Sequence, residues 1–303
     1  MSGALTIEVA SHEDVELART WAATEGWNPG RHDVVPNMAT DPQGFLMGKV
    51  DGVPVATISA VRYDAHYAFL GFYIVLPEHR GKGYGIAMWQ AAMKQMEGRI
   101  VGLDGVPKQQ ANYVKSGFKL DYAQERWTGV ADGTPFELPS HIVQVSGDNF
   151  SALLHYDRVF HPASRTAFLK AWTSIPGSLA LCAMAPDGQT CVGWGQIRQG
   201  EDGHRIGPLF ADSPDDADAM LRTLRANLPC DTSYCIDIPQ GWAGLGWAGL
   251  GWAGAAGQVN QAAQDMRTRH GLTKSFEVGR MWHGGNPKLP TDKIYGVTSL
   301  ELG

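Results

Sequence analysis

The chain has 303 residues and a formal net charge of −6, which exceeds one typical domain and argues against a nucleic-acid partner, because such a surface needs clustered Lys and Arg. A hydrophobic content of 44%, with 10 Trp, 10 Phe and 9 Tyr, supplies two packed cores. No basic N-terminal region leads into an apolar run, and no stretch of about 18 apolar residues is present to cross a bilayer, so a cytoplasmic protein without a membrane partner is expected.

In chain order, Ser11-His-Glu-Asp14 is a capping-box start, and Val15, Ala18, Trp21 and Ala22 follow at helical spacing until Gly26 stops the helix. A Trp27-Asn-Pro-Gly30 turn comes next. Phe45–Val50 and Val53–Tyr63 read as strands joined by Asp51-Gly52, a strong hairpin signal, and Tyr67–Val75 reads as a third strand. Arg80-Gly-Lys-Gly83-Tyr-Gly85 then opens a helix whose Ile86, Trp89, Met93 and Met96 are expected on its buried face. Gly81, Gly83 and Gly85 remove side chains so that successive backbone N–H groups converge, and the helix mouth adds unpaired donors and a positive dipole end. The segment is an anion cradle. A strand at Ile100–Asp104, a helix through Tyr113 to Gly117 and a strand from Phe118 to Trp127 complete the unit.

The second half repeats this order. Helices around Ser151–Tyr156 and Arg165–Trp172 precede a hairpin of Leu179–Met184 and Cys191–Ile197, then a strand near Arg205–Leu209, a helix at Pro214–Asn227, a strand at Tyr234–Ile238, a helix at Val259–His270 and a strand from Phe276. Asp187-Gly188 corresponds to Asp51-Gly52, Asp237 to Asp104 and Gly271 to Gly117. Extra length between Asp237 and Gly271 coincides with a period-five Gly/Trp tract at 241–257, read as a tandem duplication in a tolerant loop or as an aromatic binding patch. All four cysteines lie in this half, too few for a disulfide framework. Neither they nor the histidines have zinc spacing, and no metal is expected.

Arg80, Gly83 and Gly85 fill a pattern that resembles the pyrophosphate turn of the GNAT acyl-CoA N-acyltransferases, and Tyr113-Val-Lys-Ser-Gly117-Phe118 resembles their tyrosine-before-Gly-Phe signature. With Glu25-Gly-Trp-Asn-Pro-Gly30, Leu103-Asp104-Gly-Val106, Arg280-Met281 and Ser299-Leu-Glu-Leu-Gly303, nearly the whole chain is similar to bacterial two-domain acetyltransferases in which a standard GNAT half is followed by a divergent one. The resemblance implies an α/β fold with a mixed sheet, a catalytic domain at 1–135, a degenerate GNAT-like domain at 145–290 that shapes the acceptor site, and a tail at 291–303.

It also implies acetyl-CoA as cosubstrate, held by Tyr73, Ile74 and Val75 along the pantetheine arm and by Arg80, Gly81, Lys82, Gly83, Tyr84, Gly85 and Ile86 at the pyrophosphate, with Tyr113 protonating the departing thiolate. The acceptor is a primary amine of a small molecule, amino acid or peptide. The second half has no Arg-x-x-Gly-x-Gly, and Asp212, Asp215 and Asp216 would repel a pyrophosphate there. Asp104 and Glu25 are candidate bases or structural acids. Trp27 and Asn28 line the acceptor pocket or form a plain helix-ending turn, and Asp157 with Arg165 face a cleft or make a surface ion pair. An acyl-CoA sensor without catalysis is the alternative.

Overall fold

The computed structural model describes residues 4–241 and 260–303, so the Gly/Trp tract beyond Gly241 lies outside the described residues. The first half runs β1 (Leu5–Val9), α1 (His12–Thr24), α2 (Val34–Thr40), β2 (Phe45–Val50), β3 (Val53–Arg62), β4 (Tyr67–Val75), α3 (Tyr84–Gln95), β5 (Ile100–Gly105), α4 (Pro107–Lys115) and β6 (Lys119–Val130). The second runs β7 (Ile142–Gln144), α5 (Phe150–Asp157), α6 (Thr166–Trp172), β8 (Leu179–Met184), β9 (Cys191–Gln199), β10 (His204–Ala211), α7 (Pro214–Ala226), β11 (Ser233–Gln240), α8 (Gln261–Arg269), β12 (Thr273–His283) and β13 (Ile294–Gly296).

Local chemistry sets the element ends. Ser11 Oγ accepts from Asp14 N–H at 3.2 Å while the Asp14 carboxylate accepts from Ser11 N–H at 3.1 Å, the reciprocal box expected at the start of α1. Strand alternation then splits the core. Phe45 and Met47 face a cluster shared with α1, α2, α5 and α6 of both halves, whereas Leu46 faces α3. In the second half Cys182 joins the shared cluster, and Leu181 and Ala183 face α7 and α8. On α3 the buried residues are Tyr84, Met88, Trp89 and Ala92, and Ile86 is 58% exposed. Of the expected residues Trp89 and Met96 are buried and Met93 packs against the same cluster, so the apolar face stands except at Ile86, in the first turn.

The strands of the described residues form one mixed sheet in the order β1-β2-β3-β4-β5-β12-β6-β11-β10-β9-β8-β7, with β13 added to β10. β12, from the second half, lies between β5 and β6, and β6, from the first half, pairs with β11. The halves exchange strands, so the expected boundaries at 135 and 145 do not separate two sheets. The exchange carries a matched ion pair to each half. Asp104 on β5 stands opposite Arg280 on β12, and its counterpart Asp237 on β11 stands opposite Arg126 on β6.

Candidate active site

β4 and β5 run parallel only from Tyr67↔Ile100 to Leu70↔Leu103. Beyond Leu70 the β4 backbone bulges: against β3, two residues separate Gly71 from Ile74 where one separates Ser59 from Thr57, and Phe72 takes φ +44°. The strands splay, and a cavity of about 510 Å³ opens between them. Tyr73, Ile74 and Val75 form one wall, Asp104 and Val106 the opposite one, and Tyr113 of α4 closes the end. Parallel strands that separate leave main-chain N–H and C=O groups without ladder partners, ready for an extended ligand.

At the mouth, Gly81 and Gly83 take φ +76° and +84°, and a Cβ on either would meet no atom within 4 Å. Glycine is needed there for backbone conformation, and the space above it is open. The Gly83 carbonyl accepts the first bond of α3 from Ala87 N–H, which leaves Gly85 and Ile86 N–H without a helical acceptor. This concavity of donors at a helix start suits a pyrophosphate. The Arg80 side chain is directed elsewhere. Its Nε donates to Val75 O at 2.8 Å and its Nη2 to Glu25 at 2.6 Å, bracing the turn against the end of β4.

Tyr113 is 8% exposed, stacked on Trp89 at 5.4 Å between centroids, and burial raises its phenol above the ordinary value near 10. The hydroxyl stays protonated at neutral pH and can donate to a leaving group in the cavity. Among the described residues no group of three or more metal-ligating side chains is assembled, and no helix is long and apolar enough to cross a membrane.

The GNAT acetyltransferase family profile matches residues 12–118, and the profile of a GNAT acetyltransferase domain matches residues 153–245. The chain is 32% identical over 298 residues to the holothin acyltransferase of Pseudoalteromonas sp. (strain SANK 73390), covering 98% of this chain and 94% of that protein. This chain is a GNAT acyltransferase. Its fold matches a putative acetyltransferase from Pyrococcus horikoshii with a TM-score of 0.77 at 20% identity, covering 99% and 96% of the two chains. It also matches a tandem GNAT protein from the clavulanic acid biosynthesis pathway with a TM-score of 0.57 at 13% identity, covering 92% and 98%.

As a GNAT acyltransferase the chain uses an acyl-CoA cosubstrate, and the open cradle and splayed strands fit one in the first half. The second half has the same bulge logic with a different outcome. β10 and β11 part after Ile206↔Ile236, but β13 occupies the gap, pairing Leu209↔Gly296 and Phe210↔Ile294, and Val297 N–H donates to Asp237 O at 2.9 Å. The cleft is filled by the chain itself.

Of the residues singled out in the sequence, Glu25, Trp27, Tyr73, Ile74, Val75, Arg80, Gly81, Gly85, Asp104 and Tyr113 line the cavity. Lys82, Gly83 and Ile86 continue the cradle on its exposed side, while the Tyr84 side chain enters the α3 core. Asn28 is not at the cavity wall. At φ +52° it bonds Asp202 through its side chain and accepts from Arg205 on its carbonyl, tying the two halves together. Asp157 and Arg165 form a bidentate pair at 2.7 and 2.8 Å inside the protein, with Arg165 also donating to Thr298, so they neither face the acceptor cleft nor lie at the surface.

Asp104 is engaged in the way its structural reading expects. Both its oxygens take Arg280 at 2.7 and 2.8 Å and one takes Gln124 at 2.7 Å. Burial outweighs the Arg280 guanidinium and the Gln124 amide and holds this carboxyl above the usual carboxylate range. The cavity also draws in Phe276 and Val278 of β12 and Leu300 and Glu301 of the tail, none of which was assigned to the site from sequence. An acid set in the apolar frame Ser299-Leu-Glu-Leu-Gly303 was the one legible sign among them.

Proposed function

We propose that this protein transfers an acetyl group from acetyl-CoA to a primary amine of a small molecule, amino acid or peptide, within one ternary complex in the first half. The observation that carries the reading is one cavity lined by both the splayed β4 backbone and Tyr113. Main-chain N–H groups of Tyr73 to Val75 hold the pantetheine arm, and one of them stabilises negative charge building on the thioester oxygen as the amine adds. Backbone donors of the 80–86 turn hold the pyrophosphate. Tyr113 gives its proton to the departing sulfur. Trp27 and Phe276 present aromatic surface to the acceptor in a cavity of about 510 Å³, a volume suited to a small ligand.

The Pseudoalteromonas relative is named for acyl transfer to holothin, so holothin heads the acceptors to test, ahead of alkylamines, arylamines, amino acids and peptide N-termini. Full-length protein is mixed with acetyl-CoA and each amine, free thiol release is followed, and the acetylated amine is identified by mass spectrometry. Amine-dependent thiol release with one acetylated product per thiol supports the reading. Coenzyme A binding without release for any amine overturns it and leaves the sensor.

A further inference from the structure

We infer that Glu301, carried into the site by the tail, is the group that takes the proton from the acceptor amine. The inference rests on the amine-acetylation reading. An ammonium cannot attack a thioester, and the two acids read from sequence are engaged: Asp104 by Arg280 and Gln124, and Glu25 by Arg80 at the cradle. Glu301 is 5% exposed and borders the cavity. Its Oε1 takes Arg205 Nη1 at 3.3 Å, while its Oε2 has no hydrogen-bond partner among the described residues. A buried carboxylate oxygen left without a donor is costly, and an amine N–H entering the cavity relieves that cost.

The tail is built to bring this carboxylate to the bulge. After filling the second half's cleft, it packs its Val297 and Thr298 carbonyls on Gly207 and then its Glu301 carbonyl on Gly71, the bulge glycine of β4. A Cβ on Gly71 would lie 2.2 Å from that carbonyl oxygen, so only glycine admits the approach. Arg205, itself fixed by Asp237 at 2.9 Å and by the Asn28 carbonyl at 2.9 Å, holds one carboxylate oxygen and leaves the other without a bond. The second half thus supplies both the acid and its clamp.

The step balances. The ammonium gives one proton to Glu301 Oε2, and the freed lone pair forms the C–N bond at the thioester carbonyl carbon. The C–S bond breaks with its electron pair going to sulfur, which takes the Tyr113 proton. The second amine proton returns to the phenolate through solvent, and Glu301 releases its own to solvent, so each turnover moves one acetyl group and frees one proton.

The test uses full-length Glu301→Gln with acetyl-CoA, the alkylamine that the wild type acetylates fastest, and the matching arylamine, which is already neutral at pH ~7 and needs no initial deprotonation. Expected is an acetyl-CoA Kd within about twofold of wild type, a fall in alkylamine kcat/KM of about 100-fold and a fall for the arylamine under about tenfold. Equal falls for both amines, or an alkylamine fall under about twofold, overturn the inference. If Glu301→Gln loses acetyl-CoA binding, Glu301→Asp, which keeps the charge facing Arg205, carries the same comparison. A wild type that acetylates no amine refutes the acetyl-transfer reading itself, a result distinct from either failure of Glu301.

Discussion

Asp157 shows how far a charged pair's meaning depends on burial. Its carboxylate and the Arg165 guanidinium are 2% and 1% exposed as side chains and bond at 2.7 Å, so removing one partner strands the other inside the protein. Asp157→Ala is expected to lower unfolding free energy by about 3–5 kcal/mol in chemical denaturation, while the acceptor KM of the surviving folded protein stays within about twofold. A raised KM with unchanged stability would return the pair to the acceptor cleft. Tyr113 sits at the other extreme, a buried group whose hydroxyl borders open space. Tyr113→Phe should lower kcat by about tenfold to a thousandfold with acetyl-CoA affinity retained. The donating form is the protonated phenol, and burial raises its pKa, so the pH at which donation is lost moves upward. Wild-type kcat, read by thiol release, should show no alkaline fall from Tyr113 below pH ~10.

Elements defined by period and punctuation were legible in the sequence. The capping box of α1, the Asp51-Gly52 hairpin, the glycine cradle and the repeat of this order in the second half stand where the residues put them. Short or irregular elements were not. α2, Val34–Thr40, has seven residues with Pro36 among them and no apolar period, and it forms by packing on α6. β13 is three residues long, and its pairing with β10 depends on a gap that only the folded second half creates. That strand decides stoichiometry. With one cleft open and the other filled, calorimetry should find one coenzyme A per chain, and a second site of similar affinity would contradict the filling. Gly83→Val should weaken that site by about tenfold or more with the fold retained. A Cβ there meets no neighbour within 4 Å, and the penalty comes from a β-branched residue at φ +84°.

At the scale of the molecule, strand exchange makes the halves interdependent, a property invisible to a reading in chain order because apolar alternation says that Thr273–His283 is a strand without saying where it pairs. A fragment ending at residue 140 looks like a complete catalytic domain by sequence, with every cradle residue and Tyr113 present. It lacks β12. Without it β5 and β6 have no strand between them, Met281 leaves the core under α3, and Asp104 loses Arg280. A carboxylate without its guanidinium and two newly exposed strand edges together remove a large share of the margin, about 5–15 kcal/mol, by which a domain is stable. The isolated fragment 1–140 is therefore expected to aggregate or remain unfolded and to bind no coenzyme A, and co-expression with 141–303 should restore both solubility and binding by returning β12 to its place. A monomeric 1–140 fragment with wild-type coenzyme A affinity would show that β5 and β6 close on each other without help from the second half.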